Sequence, residues 1–174
     1  MINPRLITKG LLLSLLLCLL LSCDKGLEPP QQGGSVPFGT LNGLVTLTNW
    51  DAVDSLYDLR LVAFTVFPPE DILDEVLQGR AVVHPPLQVG EPLSSRGTDS
   101  LRYSITVPAN TYPYVVIAHQ FGPDVFNDWR PVGQYDLDTN LTVPSPVVVS
   151  DGQTTPDIDI FVDFKNLPPF FVKP

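Results

Sequence analysis

The sequence predicts an all-β fold: an antiparallel sandwich or barrel of about seven or eight short strands, with one short inserted helix. Apolar and polar residues alternate over several short runs, as they do in half-buried strands. Proline is high, at 19 residues against 12 glycines, and the prolines lie between apolar runs, where they indicate turns. These turn signals recur about every ten to fifteen residues, a spacing typical of sandwiches and barrels.

The N-terminal residues 1–22 predict a secretory signal peptide. Arg5 and Lys9 form a short cationic head, and an apolar run follows to residue 21. This run is too short for a membrane span, which needs roughly 20 residues. Residues 20–23 (LLSC) resemble a bacterial lipobox. The resemblance implies that Cys23 begins the mature chain and carries acyl chains, and two or three such chains give stable attachment to a lipid bilayer.

The implied location is the periplasmic or cell-surface side of a bacterial membrane. Asp24 follows the predicted lipidated cysteine. In enterobacteria an aspartate there resembles the signal for retention in the inner membrane, whereas other phyla sort differently. The inner and the outer membrane both remain open.

The acidic composition argues against nucleic acid as a partner. Loss of Arg5 and Lys9 reduces 10 basic residues to 8, so that 8 − 19 gives the mature chain a formal charge of −11. Such a surface repels nucleic acid and anionic headgroups and suits cationic partners. Cys18 lies inside the predicted signal peptide. The mature chain would therefore have no free thiol, no disulfide and no cysteine metal site.

The mature chain divides into a tether, one domain and a tail. Residues 23–40 are polar and rich in proline, glycine and glutamine, which predicts a lipidated flexible tether. Residues 41–166 are predicted to form the β-domain, with enough length for one core. Residues 167–174 are proline-rich and predict an extended tail.

The first two predicted strands differ in burial. Residues 41–48 alternate, interrupted only by Leu44, which predicts one face on the core. Residues 59–67 are apolar on both faces apart from Arg60. That pattern is typical of a strand in the middle of a sheet with both faces covered.

A helix is predicted over residues 69–78. Its apolar positions recur at helical spacing, acids fill the first turn, and Gly79 can end it. The preceding strand offers the apolar face a surface to pack on. The apolar positions are Ile72, Leu73, Val76 and Leu77.

The rest of the chain predicts further short strands. Residues 101–107 alternate strictly and give the clearest half-buried strand. Residues 122–130 predict a loop that carries Phe126 and Trp129. The other predicted strands are residues 80–84, 112–121, 132–135, 146–149 and 158–164.

Three segments resemble the prealbumin-like sandwiches of the carboxypeptidase-regulatory and collagen-adhesin-B types. They are residues 43–45 (GLV), residues 107–116 (VPANTYPYVV) and residues 147–160 (VVVSDGQTTPDIDI). The resemblance covers roughly residues 41–164 and implies a Greek-key sandwich of about seven strands. It implies a fold and not an activity, because such sandwiches serve as stalks, spacers and binding modules.

Two acidic groups are candidate sites. Asp136, Asp138 and Asn140 have the spacing of the first half of a calcium loop, but Leu141 replaces the usual glycine and a solvated turn explains the same residues. The acids of the last strand share its outward face at steps of roughly 7 Å, too far apart to chelate one ion. They form either a solvated face or a patch for a cationic partner; they are Asp157, Asp159 and Asp163, with Phe161 among them.

A sugar platform is the other candidate, because exposed aromatic rings stack on sugar faces. The predicted contact is Trp129, together with its polar neighbours Asn127, Asp128 and Arg130. The alternative is that Trp129 folds back over the core. The other aromatic candidates are Trp50, Phe121 and Phe126.

The sequence predicts neither a cofactor nor an enzyme. His84 and His119 are its only histidines, and neither has neighbours at metal-ligand spacing. Motifs for nucleophilic serine, phosphate loops and zinc proteases are missing. We therefore expect a non-enzymatic interaction or structural module of the cell envelope. A glycan-binding module is the alternative, and a small hydrolase is the third possibility because carboxylate pairs come from distant parts of a chain.

Overall fold

Ten strands and one α-helix make up the described part of the chain, residues 36–138 and 140–170 of a computed structural model. The all-β prediction is therefore confirmed. The helix is α1 (Ile72–Leu77), and a 3-10 turn spans Trp50–Ala52. The strands are β1 (Phe38–Thr48), β2 (Asp58–Phe64), β3 (Ala81–His84), β4 (Ser100–Pro108), β5 (Thr111–Tyr112), β6 (Tyr114–Gln120), β7 (Trp129–Tyr135), β8 (Val147–Val148), β9 (Thr154–Thr155) and β10 (Ile160–Asp163).

Several predictions concern residues outside this described part. They are the signal peptide, the lipidation of Cys23, most of the tether and the last four residues of the tail. Within the described residues, no helix is long and apolar enough to cross a membrane. Strand β1 begins at Phe38, so three residues assigned to the tether belong to the folded domain.

The large sheet is mixed, whereas the sequence predicted antiparallel pairing. Its order is β3-β2-β6-β7-β10-β1-β4, with β9 also paired to β1, and β5 and β8 form a separate pair. Strand β1 runs parallel to both β9 and β10, and the other pairs of the large sheet are antiparallel. Alternation within one strand reports which face is buried but carries no information about the direction of its neighbours.

The main core lies inside this curled sheet. Leu61 of β2 and Tyr103 of β4 come from opposite ends of the strand order, yet they share one cluster of buried side chains. The alternation predicted for the last strand is confirmed, because its inward residues are at most 6% exposed. Those residues are Ile158, Ile160, Val162 and Phe164.

A second core covers the outer face of β2 and β6. Val62 and Phe64 of β2 pack there with Trp129 and with Ile72 of α1. Strand β2 is therefore buried on both faces, as predicted, and the helix packs on the strand before it. Every residue of β6 is buried for the same reason.

The helix is shorter than predicted. Asp71 caps its N-terminus, accepting hydrogen bonds from the backbone N–H of Leu73 at 2.9 Å and of Asp74 at 3.0 Å. Gly79, at a φ of 71°, follows its end as expected. The prediction for Leu77 was wrong, since its side chain is 63% exposed. Six residues make less than two turns, so one apolar stripe does not reach Leu77.

Between β9 and β10 the chain runs alongside β1 and presses closely against it. The backbone N–H of Ile158 donates to the carbonyl of Asn42 at 3.0 Å, and the backbone N–H of Leu44 donates to Asp159 Oδ1 at 2.7 Å. A β-carbon on Gly43 would overlap the carbonyl group of Ile158. This close approach explains the glycine of the GLV segment.

Candidate ligand-binding surfaces

The predicted sugar platform at Trp129 is not presented to solvent. Trp129 begins β7 instead of lying in the preceding loop, and its side chain is 5% exposed in the second core. Its indole N–H donates to the carbonyl of Val125 at 2.8 Å. The alternative interpretation, in which the Trp129 ring packs back over a core, is therefore the correct one. Alternation along β7 directs residue 129 towards the face that the helix covers.

The polar neighbours of Trp129 do not form one site: Asn127 and Asp128 bond within their own loop, whereas Arg130 lies elsewhere. Asp128 Oδ2 accepts from the backbone N–H of Asp124 at 2.9 Å, and Asn127 Nδ2 donates to Asp124 Oδ2 at 2.7 Å. The bonds from Asn127 and from the backbone of Phe126 lower the pKa of Asp124. These groups thus stabilise their own loop. Arg130 lies apart from them, in a different pocket described below.

The other candidate aromatics differ in exposure. Phe121 is 41% and Phe126 is 63% exposed. Trp50 is half-buried, its ring centroid lies 4.6 Å from that of Phe164, and its indole N–H donates to the carbonyl of Thr98 at 2.8 Å. Trp50 therefore closes the core, and Phe121 and Phe126 are the rings that face solvent.

The candidate calcium residues form a chain of local hydrogen bonds. Asp138 Oδ1 accepts from the backbone N–H of Asn140 at 2.6 Å, and Asn140 Oδ1 accepts from the hydroxyl of Thr142 at 2.6 Å. Asp136 Oδ1 accepts from the hydroxyl of Ser145 at 2.8 Å. Bonds of this kind stabilise turns. Among the described residues, no three His, Cys, Asp or Glu side chains come together in a way that could hold a metal ion.

The outward acids of the last strand lie at an acidic groove of about 390 Å³ on the outer face of β7 and β10. Phe161 projects into solvent with 59% of its side chain exposed. Asp157 belongs elsewhere, because it takes a φ of 60° before β10 begins. The residues of the acidic groove used below are Gln134, Asp136, Asp138, Asp159, Phe161 and Asp163.

Gln134 is a feature of this groove that the sequence analysis missed. It faces Phe161 across the β7–β10 pair and is 5% exposed. Its Nε2 donates to Asp136 Oδ2 at 3.0 Å and to the carbonyl of Leu141 at 3.2 Å, while its buried Oε1 has no hydrogen-bond partner. Turning the amide over would place oxygen against two acceptors, so the orientation is fixed. Only the register between β7 and β10 reveals this arrangement.

A second pocket, of about 250 Å³, lies at one end of the main core and contains Arg130. His119 and Arg130 are directly opposite each other on β6 and β7. His119 is 6% exposed, as expected for a core histidine, and burial, assisted by Arg130, lowers its pKa. Phe121 and Phe164 contribute aromatic walls. Both strands were predicted from the sequence, but the register that places His119 opposite Arg130 was not.

Comparisons with known proteins do not assign this chain to a family. No family model matches it, and no curated protein does. Among solved structures it is similar to a leucine-rich repeat protein from Bacteroides thetaiotaomicron VPI-5482, with 12% identity and a TM-score of 0.37. The alignment covers 75% of this chain and 14% of that chain. At this score the similarity carries no argument about fold or function.

Proposed function

We propose that this chain is a cell-envelope lipoprotein whose β-domain is a non-enzymatic interaction module for cationic partners. Acyl chains on Cys23 would hold it to a bilayer on the periplasmic or cell-surface side. The support for attachment is the cationic head, the short apolar run and the LLSC sequence. The support for the interaction role is the acidic groove.

The observation that carries the proposal is an exposed aromatic ring flanked by carboxylates. Phe161 is 59% exposed, and Asp159 and Asp163 lie two residues away on either side, on the same face of the strand. An aromatic face attracts a cation, and nearby carboxylates reinforce that attraction. A large exposed apolar side chain surrounded by charge is also typical of an interaction site.

No carboxylate of the acidic groove forms an ion pair among the described residues, although the positive charge of Lys165 acts on Asp163. Among the described residues, none of the three ion pairs includes Asp136, Asp138, Asp159 or Asp163. Hydrogen bonds from the side chain of Asn49 and the backbone of Lys165 lower the pKa of Asp163, which keeps this carboxylate ionised. Lys165 itself pairs with Asp51 at 2.8 Å. The groove therefore retains a negative charge for an external cation.

The unpartnered oxygen of Gln134 adds a requirement for a hydrogen-bond donor. A buried acceptor without a donor costs about 1–3 kcal/mol, which a donor supplied by a ligand would recover. Lysine and arginine side chains provide both N–H donors and positive charge. The proposed partner is accordingly a protein segment rich in lysine or arginine.

Isothermal titration of the full-length chain in detergent micelles tests the interaction. An arginine-rich peptide should bind, a glutamate-rich peptide of equal length should not, and added salt should weaken binding. Phe161→Ser should weaken it about fivefold, as expected for loss of a cation–π contact of about 1 kcal/mol. The matched controls are Val148→Ser, at another exposed apolar position (63% exposed), and Asp151→Asn, at an exposed acidic position. Undiminished binding by Phe161→Ser would reject this groove as the site.

Metabolic labelling tests the anchor. Wild-type chain expressed in a bacterial host should incorporate labelled palmitate and enter the membrane fraction. Cys23→Ser should do neither, whereas Cys18→Ser should behave as wild type. An intact N-terminus without acyl chains in mass spectra of the native protein would remove this part of the proposal.

We also propose that the curled sheet is a prealbumin-like Greek-key sandwich. In support, the Tyr112 hydroxyl donates to the carbonyl of Pro108 at 2.8 Å, closing the turn that resembles the family. A tyrosine that bonds back to the backbone a few residues upstream is a feature of sandwich corners. A crystal structure in which the strands do not form two facing layers would contradict this assignment.

Glycan binding is the second candidate function. The observation that favours it is Phe121, which is exposed and lines the same pocket as Arg130. The sugar contact is then displaced from Trp129 to the opposite face of β7. A glycan array probed with the full-length chain tests it. Phe121→Leu should reduce the binding signal, because the ring of Phe121, and not that of Trp129, would contact the sugar.

A further inference from the structure

Arg130 is the one half-buried cation in the described part of the chain whose side chain has no protein partner. Arg60, Arg80 and Lys165 form ion pairs, and Arg96 donates to backbone carbonyls. Arg102 is exposed to water. The Nε of Arg130 is instead buried without a hydrogen bond. The chain has 19 acidic residues, yet no carboxylate forms an ion pair with Arg130 among the described residues. A half-buried charge without a counter-ion is costly, which makes Arg130 a candidate for ligand binding.

The residue opposite Arg130 supplies an acceptor. His119 Nε2 lies 2.9 Å from the carbonyl oxygen of Ser55, and because a carbonyl can only accept, Nε2 carries the proton. Burial and Arg130 both keep the ring neutral by lowering its pKa. In the neutral ring Nδ1 is then an acceptor. The pocket thus places a hydrogen-bond acceptor beside an unpaired guanidinium.

The walls of the pocket complete its chemical character. Phe121 offers a ring that is 41% exposed, and Phe164 lies edge-on to His119 with centroids 6.1 Å apart. Asp54 also lines the pocket but forms no ion pair with Arg130. A volume of about 250 Å³ suits one small ring or chain.

We propose that this pocket binds a sugar acid, with its carboxylate on Arg130, its hydroxyls donating to His119 Nδ1 and Asp54, and its apolar face on Phe121. The fork of a guanidinium matches a carboxylate with two parallel hydrogen bonds. Hydroxyl groups can donate to the two acceptors. The site is independent of the acidic groove, because it lies on the inner side of the sheet end and requires the opposite charge in its ligand.

Titration of the full-length chain followed by amide NMR shifts tests the proposal, using glucuronate, galacturonate, glucose and inorganic phosphate as probes. A sugar acid should bind with a millimolar or lower Kd and should shift the signals of residues around His119 and Arg130. Glucose should bind at least about tenfold more weakly, since it lacks the carboxylate. Equal binding of phosphate and glucuronate would show a general anion site and overturn the sugar assignment.

Variants separate recognition from folding. Arg130→Gln should lose at least about tenfold in affinity for the sugar acid, and Arg130→Lys should lose part of it, because lysine keeps the charge without the fork. Arg102→Gln is the control and should bind as wild type. If Arg130→Gln does not fold, the affinity of Arg130→Lys and the NMR shifts of the wild-type chain still test whether Arg130 binds the sugar acid. Lack of any shift with both sugar acids, or full affinity in Arg130→Lys and Arg130→Gln, would overturn the proposal.

Discussion

The carbonyl group of Ile158 occupies the space that a β-carbon on Gly43 would need. The contact is held from both sides, since the backbone N–H of Ile158 bonds to Asn42 and the carbonyl oxygen of Ile158 accepts from the Tyr103 hydroxyl at 2.5 Å. Burial raises the pKa of Tyr103, so this hydroxyl keeps its proton. Gly43 is thus required by close packing of two backbones.

Gly43→Ala should therefore destabilise the fold by about 1–3 kcal/mol, because the segment around Ile158 must move. Urea unfolding should show a lower midpoint with an unchanged slope. Gly90→Ala is the matched control, since a β-carbon there would meet nothing within 4 Å. Equal midpoints for the two variants would contradict the close contact between Gly43 and Ile158.

Trp129→Ala should cost about 3–5 kcal/mol, the usual range for deleting a large buried aromatic side chain. Thermal unfolding followed by circular dichroism measures it. Phe126→Ala, in the preceding loop and 63% exposed, should change stability by about 0.5 kcal/mol or less. A loss of ligand binding in Trp129→Ala would report loss of structure, and a fully stable Trp129→Ala would contradict the burial.

Arg60 should be needed to hold the segment after β3. Its Nε bonds to Asp58 Oδ2 at 2.7 Å, and its other nitrogens donate to the carbonyls of Pro85 at 3.0 Å and Val89 at 3.0 Å. Arg60→Met removes the counter-ion of Asp58 and the side-chain donor to these carbonyls, at a cost of about 3–5 kcal/mol in urea unfolding. Arg102→Met, at an exposed position, should be close to neutral. An unchanged Arg60→Met would show that the guanidinium is dispensable.

Stability should fall as the pH drops below about 6.5, because both histidines are held below their ordinary pKa. Burial is the main cause of the lowered pKa of each histidine. Below about pH 6.5 the histidines therefore bind more protons in the unfolded chain than in the folded chain, and acidification favours unfolding. Urea midpoints between about pH 7.5 and 5.5 measure the slope. His119→Gln should flatten it, as should His84→Gln in part; a midpoint that rises on acidification would contradict the assignment.

Local pattern was enough for several elements of this fold. The alternation of β4 and of residues 158–164, the two-sided burial of β2 and the position of α1 on it all follow from sequence periodicity. Periodicity reports which side of an element faces apolar surroundings, and each of these elements has one consistent environment. The same pattern predicted the shared surface of Asp159 and Asp163, but it wrongly included Asp157.

Features that depend on strand neighbours were not accessible. Glu75 is 1% exposed although acids early in a helix usually face water, and its ion pair with Arg80 at 2.5 Å depends on the turn after α1. Trp129 reads as a loop residue until β7 is known to start there. The pairs Gln134–Phe161 and His119–Arg130 exist only through register, which no single strand encodes.

Strand β10 lies between β7 and β1, so it joins the strands β3-β2-β6-β7 to β1 and β4. The two parts of the sheet therefore cannot enclose a common interior until the chain has been made as far as Asp163. Closure of the sheet is thus tied to the synthesis of β10, the last strand in chain order among the described residues.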